Sequence, residues 1–135
     1  MADANARLNG VEIPFYESNM FDQLGAFTRD KCGLDVIVSN PPYIREEVLA
    51  ELMPEVRDFE PALALKADEN GLRFYRIIAE QSPRFLKRGG RLYLEIGYDQ
   101  AADVCGLLER NGFSDITVDK DLAGLDRIVS ARYER

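Results

Sequence analysis

The sequence predicts a single α/β domain with a mainly parallel sheet and an antiparallel closing strand. Strand patterns and helix patterns alternate along its 135 residues, which suffice for a modest core. The segment Leu34–Ser39 is apolar on both faces apart from Asp35, as strands inside parallel sheets are. The last two strands are joined only by Lys120–Asp126, which is too short for a helical crossover, so we expect them to be antiparallel.

The amino-terminal part predicts a helix, two strands and a short helical turn. Asp3–Leu8 has the pattern of the end of a helix, and Asn9-Gly10 is a typical terminator. Glu12–Tyr16 is predicted to be a strand at a sheet edge, because Pro14 has no N–H to donate. A helical turn within Phe21–Arg29 then leads to the buried strand Leu34–Ser39.

The middle of the chain predicts a short helix, an irregular segment and a long helix. Arg45–Met53 is predicted to be a short helix that ends before Pro54, and Asp58–Lys66 is expected to be irregular. Gly71–Lys87 has the clearest apolar helical face, and Pro83 should kink it near residue 79.

The carboxyl-terminal part predicts three strands and one more helix. Gly89-Gly90 is expected to end the long helix, and Asp99 is expected to cap the last one, which Asn111-Gly112 ends. The predicted strands are Arg91–Gly97, Asp115–Asp119 and Arg127–Tyr133.

Composition excludes several classes of function. The chain has no histidine, so serine–histidine and cysteine–histidine catalysis and histidine-ligated zinc are excluded. Cys32 and Cys105 have neither metal nor redox spacing, so we expect no metal site and a reduced, cytoplasmic protein. Neither a membrane span nor a signal peptide is visible. A net charge of −7 makes nucleic-acid binding by this domain alone unfavourable.

The most informative motif is Asn-Pro-Pro-Tyr at Asn40–Tyr43, directly after the buried strand. Two prolines make a stiff exit turn, and their carbonyl groups stay available as acceptors. Asn40 adds a side-chain carbonyl and Tyr43 a flat aromatic face. Such a turn can hold a planar –NH2 group by both hydrogens. The simpler interpretation is a stiff strand exit with a surface tyrosine.

Further short motifs accompany this turn. They are Asn5-Ala6, Asn9-Gly10, Phe21-Asp22, Val56-Arg57, Phe59-Glu60-Pro61, Ala64-Leu65, Gly89-Gly90, Leu94-Glu95, Gly97, Asp121–Gly124 and Asp126-Arg127. With them, the chain resembles the class I S-adenosylmethionine-dependent methyltransferases. More closely, it resembles the release-factor glutamine methyltransferases, the HemK-type N5-glutamine enzymes, over essentially its whole length. Phe59-Glu60-Pro61 is the element that indicates the glutamine branch.

The resemblance implies a partial class I methyltransferase fold, which is Rossmann-like. Residues 1–135 would be the carboxyl-terminal part of the catalytic domain, with the third to seventh strands of the family's sheet. The glycine-rich donor loop of the family and its ribose-binding acid are absent from these residues. We therefore expect weak binding of S-adenosylmethionine, or none, and a fragment that is inactive alone.

The resemblance also implies roles for particular residues. The catalytic set is Asn40, Pro41 and Tyr43, and the substrate-binding set adds Pro42, Glu60 and Pro61. The donor would contact Asn40 and also Asn19, where the family often has aspartate. The substrate implied is the side-chain amide of a glutamine in a peptide chain release factor.

Two other functions are compatible with the same residues. One is a methyltransferase for amino groups of adenine, cytosine or guanine, in which a flipped base stacks on Tyr43. The other is a non-catalytic binding or scaffold module with a methyltransferase fold. A strand followed by a glycine-rich loop upstream in the reading frame would favour an enzyme over a module.

The sheet order that the resemblance implies, 3-2-1-4-5-7-6, also predicts self-association. Without the family's first two strands, Leu34–Ser39 has an unpaired edge with no lysine or proline to block it. We therefore expect a homodimer through this edge, in which residues 1–30 are available for exchange.

Overall fold

A computed structural model of the chain describes residues 2–42 and 71–135. The described helices are α1 (Ala2–Leu8), α2 (Arg73–Gln81) and α3 (Ala101–Arg110). The described strands are β1 (Leu34–Ser39), β2 (Leu86–Glu95), β3 (Phe113–Lys120) and β4 (Asp126–Tyr133). Short 3-10 turns lie at Gly25–Phe27 and Ser82–Arg84. The predicted helix Arg45–Met53 and irregular segment Asp58–Lys66 lie outside the described residues.

The four strands form one sheet in the order β1-β2-β4-β3. β1 is parallel to β2, and β4 is antiparallel to both β2 and β3. Three strands therefore point in one direction and β4 points in the other. This confirms the predicted α/β class, its mainly parallel sheet and its antiparallel closing pair.

The bounds of β1 are those predicted, but its predicted burial is wrong. None of its six residues is buried, because β1 is an edge strand of the described sheet and its face with Val36 and Val38 is exposed. The expected strand at Glu12–Tyr16 is also wrong. Residues 11–18 carry no strand in the structure. A strand is stable only when its backbone N–H and C=O groups pair with a neighbouring strand. Pro14 has no N–H, so this segment can form fewer of those hydrogen bonds than another five-residue segment. The predicted helical turn within Phe21–Arg29 is confirmed at Gly25–Phe27.

The long helix ends earlier than predicted. The α-helix stops at Gln81 and continues as the 3-10 turn Ser82–Arg84, because Pro83 has no N–H for the next α-helical bond. Gly89-Gly90, expected to end this helix, lies inside β2 instead. There the glycines form a bulge: Leu34 is opposite Leu86, whereas Val36 is opposite Arg91. Gly89 has φ +77°, a conformation that glycine adopts without strain.

The last helix begins differently from the prediction. Its N-cap residue is Gln100, so Asp99 is not the cap, and no side-chain capping bond is made there. Gln100 instead turns inward, and its Oε1 accepts a hydrogen bond from the N–H of Gly97 at 3.0 Å.

The hydrophobic core lies on one face of the sheet, which α2 and α3 cover. The core includes apolar residues of both helices and of β2, β3 and β4, among them Ile78, Leu92, Leu94, Val104, Leu108 and Val129. On the opposite face Val36 and Val38 are 50% and 75% exposed. None of the described helices is long and apolar enough to cross a membrane.

Candidate functional site

The Asn40–Pro42 turn lies at the carboxyl edge of the sheet. The parallel register pairs Ser39 with Leu94, so the turn leaves β1 beside the last residue of β2. Asn40 is exposed, Pro41 is buried and Pro42 is half-buried. The stiff part of the turn is thus anchored in the protein, while the amide group of Asn40 faces solvent.

The structure describes only some of the predicted site residues. Asn40, Pro41 and Pro42 form one continuous turn, whereas Tyr43, Glu60 and Pro61 lie outside the described residues. Asn19 is exposed on a separate turn, where its carbonyl accepts a hydrogen bond from the N–H of Asp22 at 3.1 Å. Among the described hydrogen bonds, none joins Asn19 to the Asn40–Pro42 turn.

Two buried polar side chains hold the end of β2. The hydroxyl of Tyr75, on α2, donates to the carbonyl of Glu95 at 2.9 Å. Tyr75 is 0% exposed and Gln100, which binds the N–H of Gly97, is 2% exposed. Buried bonds of this kind are costly to break, so this backbone is held rigidly beside the Asn40–Pro42 turn.

Arg127 connects the same strand end to the β3–β4 turn. Its backbone carbonyl accepts from the N–H of Ile96 at 2.8 Å, and its Nη1 donates to the Ile96 carbonyl at 3.2 Å. Its Nε and Nη2 both donate to Oδ2 of Asp121, at 3.2 and 3.1 Å. One guanidinium therefore joins the residue after β2 to the turn between β3 and β4.

Asp121 organises that turn from within. Its Oδ1 accepts from the N–H groups of Ala123 and Leu125, at 2.9 and 3.1 Å. Its own N–H donates to the carbonyl of Leu125 at 2.8 Å, and Gly124 adopts φ +80°. The Leu125 N–H, followed by Arg127 and the Ala123 N–H, lowers the pKa of the Asp121 carboxyl below 3.8, although partial burial opposes them.

Three exposed side chains are close in sequence to the residues that make these bonds. Leu122 at the tip of the turn is fully exposed, and Leu125 and Tyr98 are also exposed. Leu122 follows Asp121 directly, and Tyr98 lies two residues after Ile96. Both are therefore within two residues of a partner of the Arg127 guanidinium.

Comparison with known proteins identifies relatives of the chain. It is 42% identical over 132 residues, 98% of its length, to the release factor glutamine methyltransferase of Geobacter sulfurreducens. It is 42% identical over 133 residues to the protein of the same name from Agrobacterium fabrum. The chain belongs to the release factor glutamine methyltransferase family. It spans 45% and 44% of the lengths of these two relatives, and no protein-family model matches it.

A solved structure agrees with the fold of this release factor glutamine methyltransferase homologue. A methyltransferase from Pyrococcus furiosus superimposes with a TM-score of 0.66, over 99% of this chain and 56% of the other. The two are 15% identical in sequence, so this likeness concerns the fold alone. It supports the partial class I methyltransferase architecture.

Sequence reasoning missed several residues that build this edge. Tyr75 was predicted only as part of an apolar helix face, and Gln100 was not singled out. Asp121 and Arg127 were noted only as motifs of the release factor glutamine methyltransferase family. For Tyr75 and Gln100, a tyrosine on an otherwise apolar helix face and a glutamine soon after a strand are signals that could have indicated them, since such groups need a partner when they are buried. In the described part of the chain, no group of three or more His, Cys, Asp or Glu residues is arranged to hold a metal.

The Asp121 turn predicts a measurable titration. The pKa of Asp121 in the folded protein lies below its ordinary value of 3.8. The ionised carboxylate therefore contributes its full stabilisation of the fold at pH values above 3.8, and this stabilisation is lost as the pH falls through the folded pKa. We expect carboxyl NMR to give a midpoint below 3.8 for Asp121.

Arg127→Met should raise this midpoint only in part, because the Leu125 and Ala123 N–H groups still bind the carboxylate. Arg132→Met is the matched control, since Arg132 pairs with Asp115 and Glu134 instead, and should leave the Asp121 pKa unchanged. A parent midpoint at or above 3.8 would contradict the assignment.

Proposed function

We propose that this chain is the carboxyl-terminal part of a catalytic domain that methylates the side-chain amide of a glutamine in a peptide chain release factor. The observation that carries the proposal is the Asn40–Pro42 turn, which presents an exposed amide on a buried proline at the carboxyl edge of the sheet. The names of the relatives support this substrate over an amino group of a nucleic-acid base. The net charge of −7 supports the same choice.

The turn activates an amide by holding both of its N–H bonds. An amide nitrogen is a weak nucleophile because its lone pair is delocalised into the carbonyl group. In our proposal the side-chain carbonyl of Asn40 and the backbone carbonyl of Pro41 accept the two hydrogens, which opposes this delocalisation and aims the nitrogen. Tyr43 stacks on the amide plane and excludes water, and Glu60 and Pro61 belong to a segment that covers the glutamine.

Positioning then provides much of the rate acceleration. Alignment of two reactants can lower a barrier by ~7–11 kcal/mol. The donor would supply the methyl group by breaking its bond to the sulfonium sulfur, which would leave as a neutral thioether. The amide nitrogen, held by Asn40 and Pro41, would then release one of its two protons to water. No strong base is needed, in keeping with a chain that has no histidine.

In our proposal two of the described residues would hold part of an S-adenosylmethionine molecule. This donor supplies a methyl group on a positively charged sulfur. Asn19 and Asn40 are both exposed and carry side-chain carbonyls that can accept hydrogen bonds from it. The 135 residues contain no glycine-x-glycine-x-glycine loop, so the remaining contacts would come from elsewhere in a longer protein. A reduced, cytoplasmic setting accords with the two free cysteines.

Replacement of Asn40 tests the catalytic role. The test uses a full-length protein, which would contain this chain and also the part of the relatives' length that this chain does not span. In that protein Asn40→Ala should lower turnover by about a hundredfold to a thousandfold, which is a loss of about 3–4 kcal/mol of transition-state stabilisation. Steady-state rates with a glutamine-bearing release factor are the measurement. Folding should be nearly unchanged, because Asn40 is exposed.

Asn9→Ala is the matched control, because Asn9 is an exposed asparagine whose side chain binds only its own helix end through the Asn5 carbonyl. An Asn40→Ala turnover within threefold of the parent would disprove the role.

Binding of S-adenosylmethionine tests how much of the donor site these 135 residues contain. The 135-residue chain by itself should bind S-adenosylmethionine weakly or not at all, because glycine-loop N–H groups and a ribose-binding acid normally provide most of the affinity. Isothermal titration calorimetry of the chain and of the full-length protein measures the difference. A micromolar dissociation constant for the 135-residue chain alone would contradict the expected weak binding.

The open edge of β1 supports a homodimer of the 135-residue chain. In the described sheet β1 has one neighbour, and its residues Val36 and Val38 are exposed on the face of the sheet opposite the core. Light scattering after size exclusion should show a dimer or a larger species. Val38→Lys should shift it toward monomer, because a charged side chain disfavours pairing at an edge.

Val118→Lys is the matched control, since Val118 is an exposed valine on β3 at the opposite edge, and it should have no such effect. A strictly monomeric parent at high concentration would contradict the prediction.

A further inference from the structure

We propose that Tyr98, Leu122 and Leu125 form a docking surface for the polypeptide that carries the target amide. These three residues are called the edge surface below. The inference rests on the proposed function, because it concerns the chain on either side of the glutamine that Asn40 holds. It assigns a role to the β3–β4 turn, which the amide-holding mechanism does not use.

The position of the edge surface follows from the order of the strands. Asn40 leaves β1, Tyr98 follows β2, and the β3–β4 turn lies beyond β4 at the same edge. Neighbouring strands are about 4.8 Å apart, so the turn lies two to three spacings, roughly 10–14 Å, from the end of β1. An extended polypeptide covers this span in about three to four residues. A protein whose glutamine is held by Asn40 therefore passes over the edge surface when its chain runs across the strand ends.

The chemistry of the edge surface suits a polypeptide. Leu122 is a fully exposed leucine at the tip of a turn, where side chains are ordinarily small or polar. Tyr98 is 62% exposed and combines an aromatic face with a hydroxyl. Aromatic residues are enriched at protein interfaces, where their large rigid area is buried at low entropic cost.

The turn is also rigid before any partner binds. Asp121 accepts two backbone N–H bonds and two guanidinium N–H bonds, and Arg127 ties the same turn to Ile96. The backbone on both sides of Leu122 is thereby held in one conformation. A preorganised surface loses little conformational entropy on binding, so its contacts translate more fully into affinity.

The experiment compares two substrates of different reach in the full-length protein. One is an intact release factor, and the other is a five-residue peptide with glutamine at its centre. Two residues on either side of the glutamine extend about 7 Å, so the peptide stops short of the turn. Leu122→Ser should lower the ratio of kcat/KM for the protein to kcat/KM for the peptide roughly tenfold, mainly through KM for the protein. Leu122→Met should restore most of the ratio.

The control is Leu8→Ser, which changes a leucine of 85% exposure on α1, outside the edge surface. It should leave the ratio at the parental value. Binding of the Asn40→Ala full-length protein to the release factor, measured by calorimetry, should weaken by a similar factor when Leu122→Ser is added. That readout does not depend on turnover.

The possible outcomes separate the two proposals. A Leu122→Ser ratio within twofold of the parent, or an equal loss with both substrates, overturns the edge surface while the proposed function stands. A change in oligomeric state with Leu122→Ser would make this surface a contact between copies, which also overturns it. A parent that methylates neither the release factor nor the peptide refutes the proposed function, and the edge surface with it.

Discussion

The parallel pairing of β1 with β2 is the constraint on which the candidate site depends. It brings the exit of β1 beside the end of β2, so that Asn40 and Gly97 lie at one edge. Between Leu34 and Val36 the register shifts at the bulge that contains Gly89. Without the extra residues of this bulge in β2, the register of β1 against β2 would change, and β1 side chains that face the core would be paired with β2 side chains that face away from it. A glycine far from the site thus determines which residues share the edge.

Polar bonds fix the edge after the strands have aligned it. Tyr75, Gln100 and Arg127 come from three different parts of the chain, and each binds a different one of the three residues Glu95, Ile96 and Gly97 through its backbone. Buried donors and acceptors without partners cost about 1–3 kcal/mol each, so these bonds favour a single arrangement of the strand end. The side chains above it can then be positioned accurately.

Local patterns in the sequence predicted those parts of the fold that local chemistry determines. The apolar run of β1 predicted its bounds, and the short connection Lys120–Asp126 predicted the antiparallel closing pair. The composition of Phe21–Arg29 predicted the turn at Gly25–Phe27. The strand at Glu12–Tyr16 did not form, because strand pairing depends on a neighbour that a pattern of five residues does not specify. Gly89-Gly90 was misassigned because two glycines suit a helix terminus and a bulge equally well.

The candidate site divides in a similar way. The Asn-Pro-Pro-Tyr string identified Asn40–Pro42 because its chemistry is contained in adjacent residues. The bonds of Arg127 join β4 to Ile96 and to Asp121, and Ile96 is 31 positions away in the chain. No periodicity encodes such a contact. Tyr43, Glu60 and Pro61 lie outside the described residues, so their roles stay predictions.

The short β3–β4 connection has a consequence for the order in which the chain folds. Contacts between residues close in sequence lose little loop entropy, and hairpins form in about 1–10 μs. We expect the β3–β4 hairpin, whose turn Asp121 stabilises through its backbone hydrogen bonds, to form before β2 pairs with it. Arg127 would then already hold Asp121 while its second partner, Ile96, was still missing. Its guanidinium would close the second contact only when β2 arrives, which makes that bond a marker for the late step of sheet assembly.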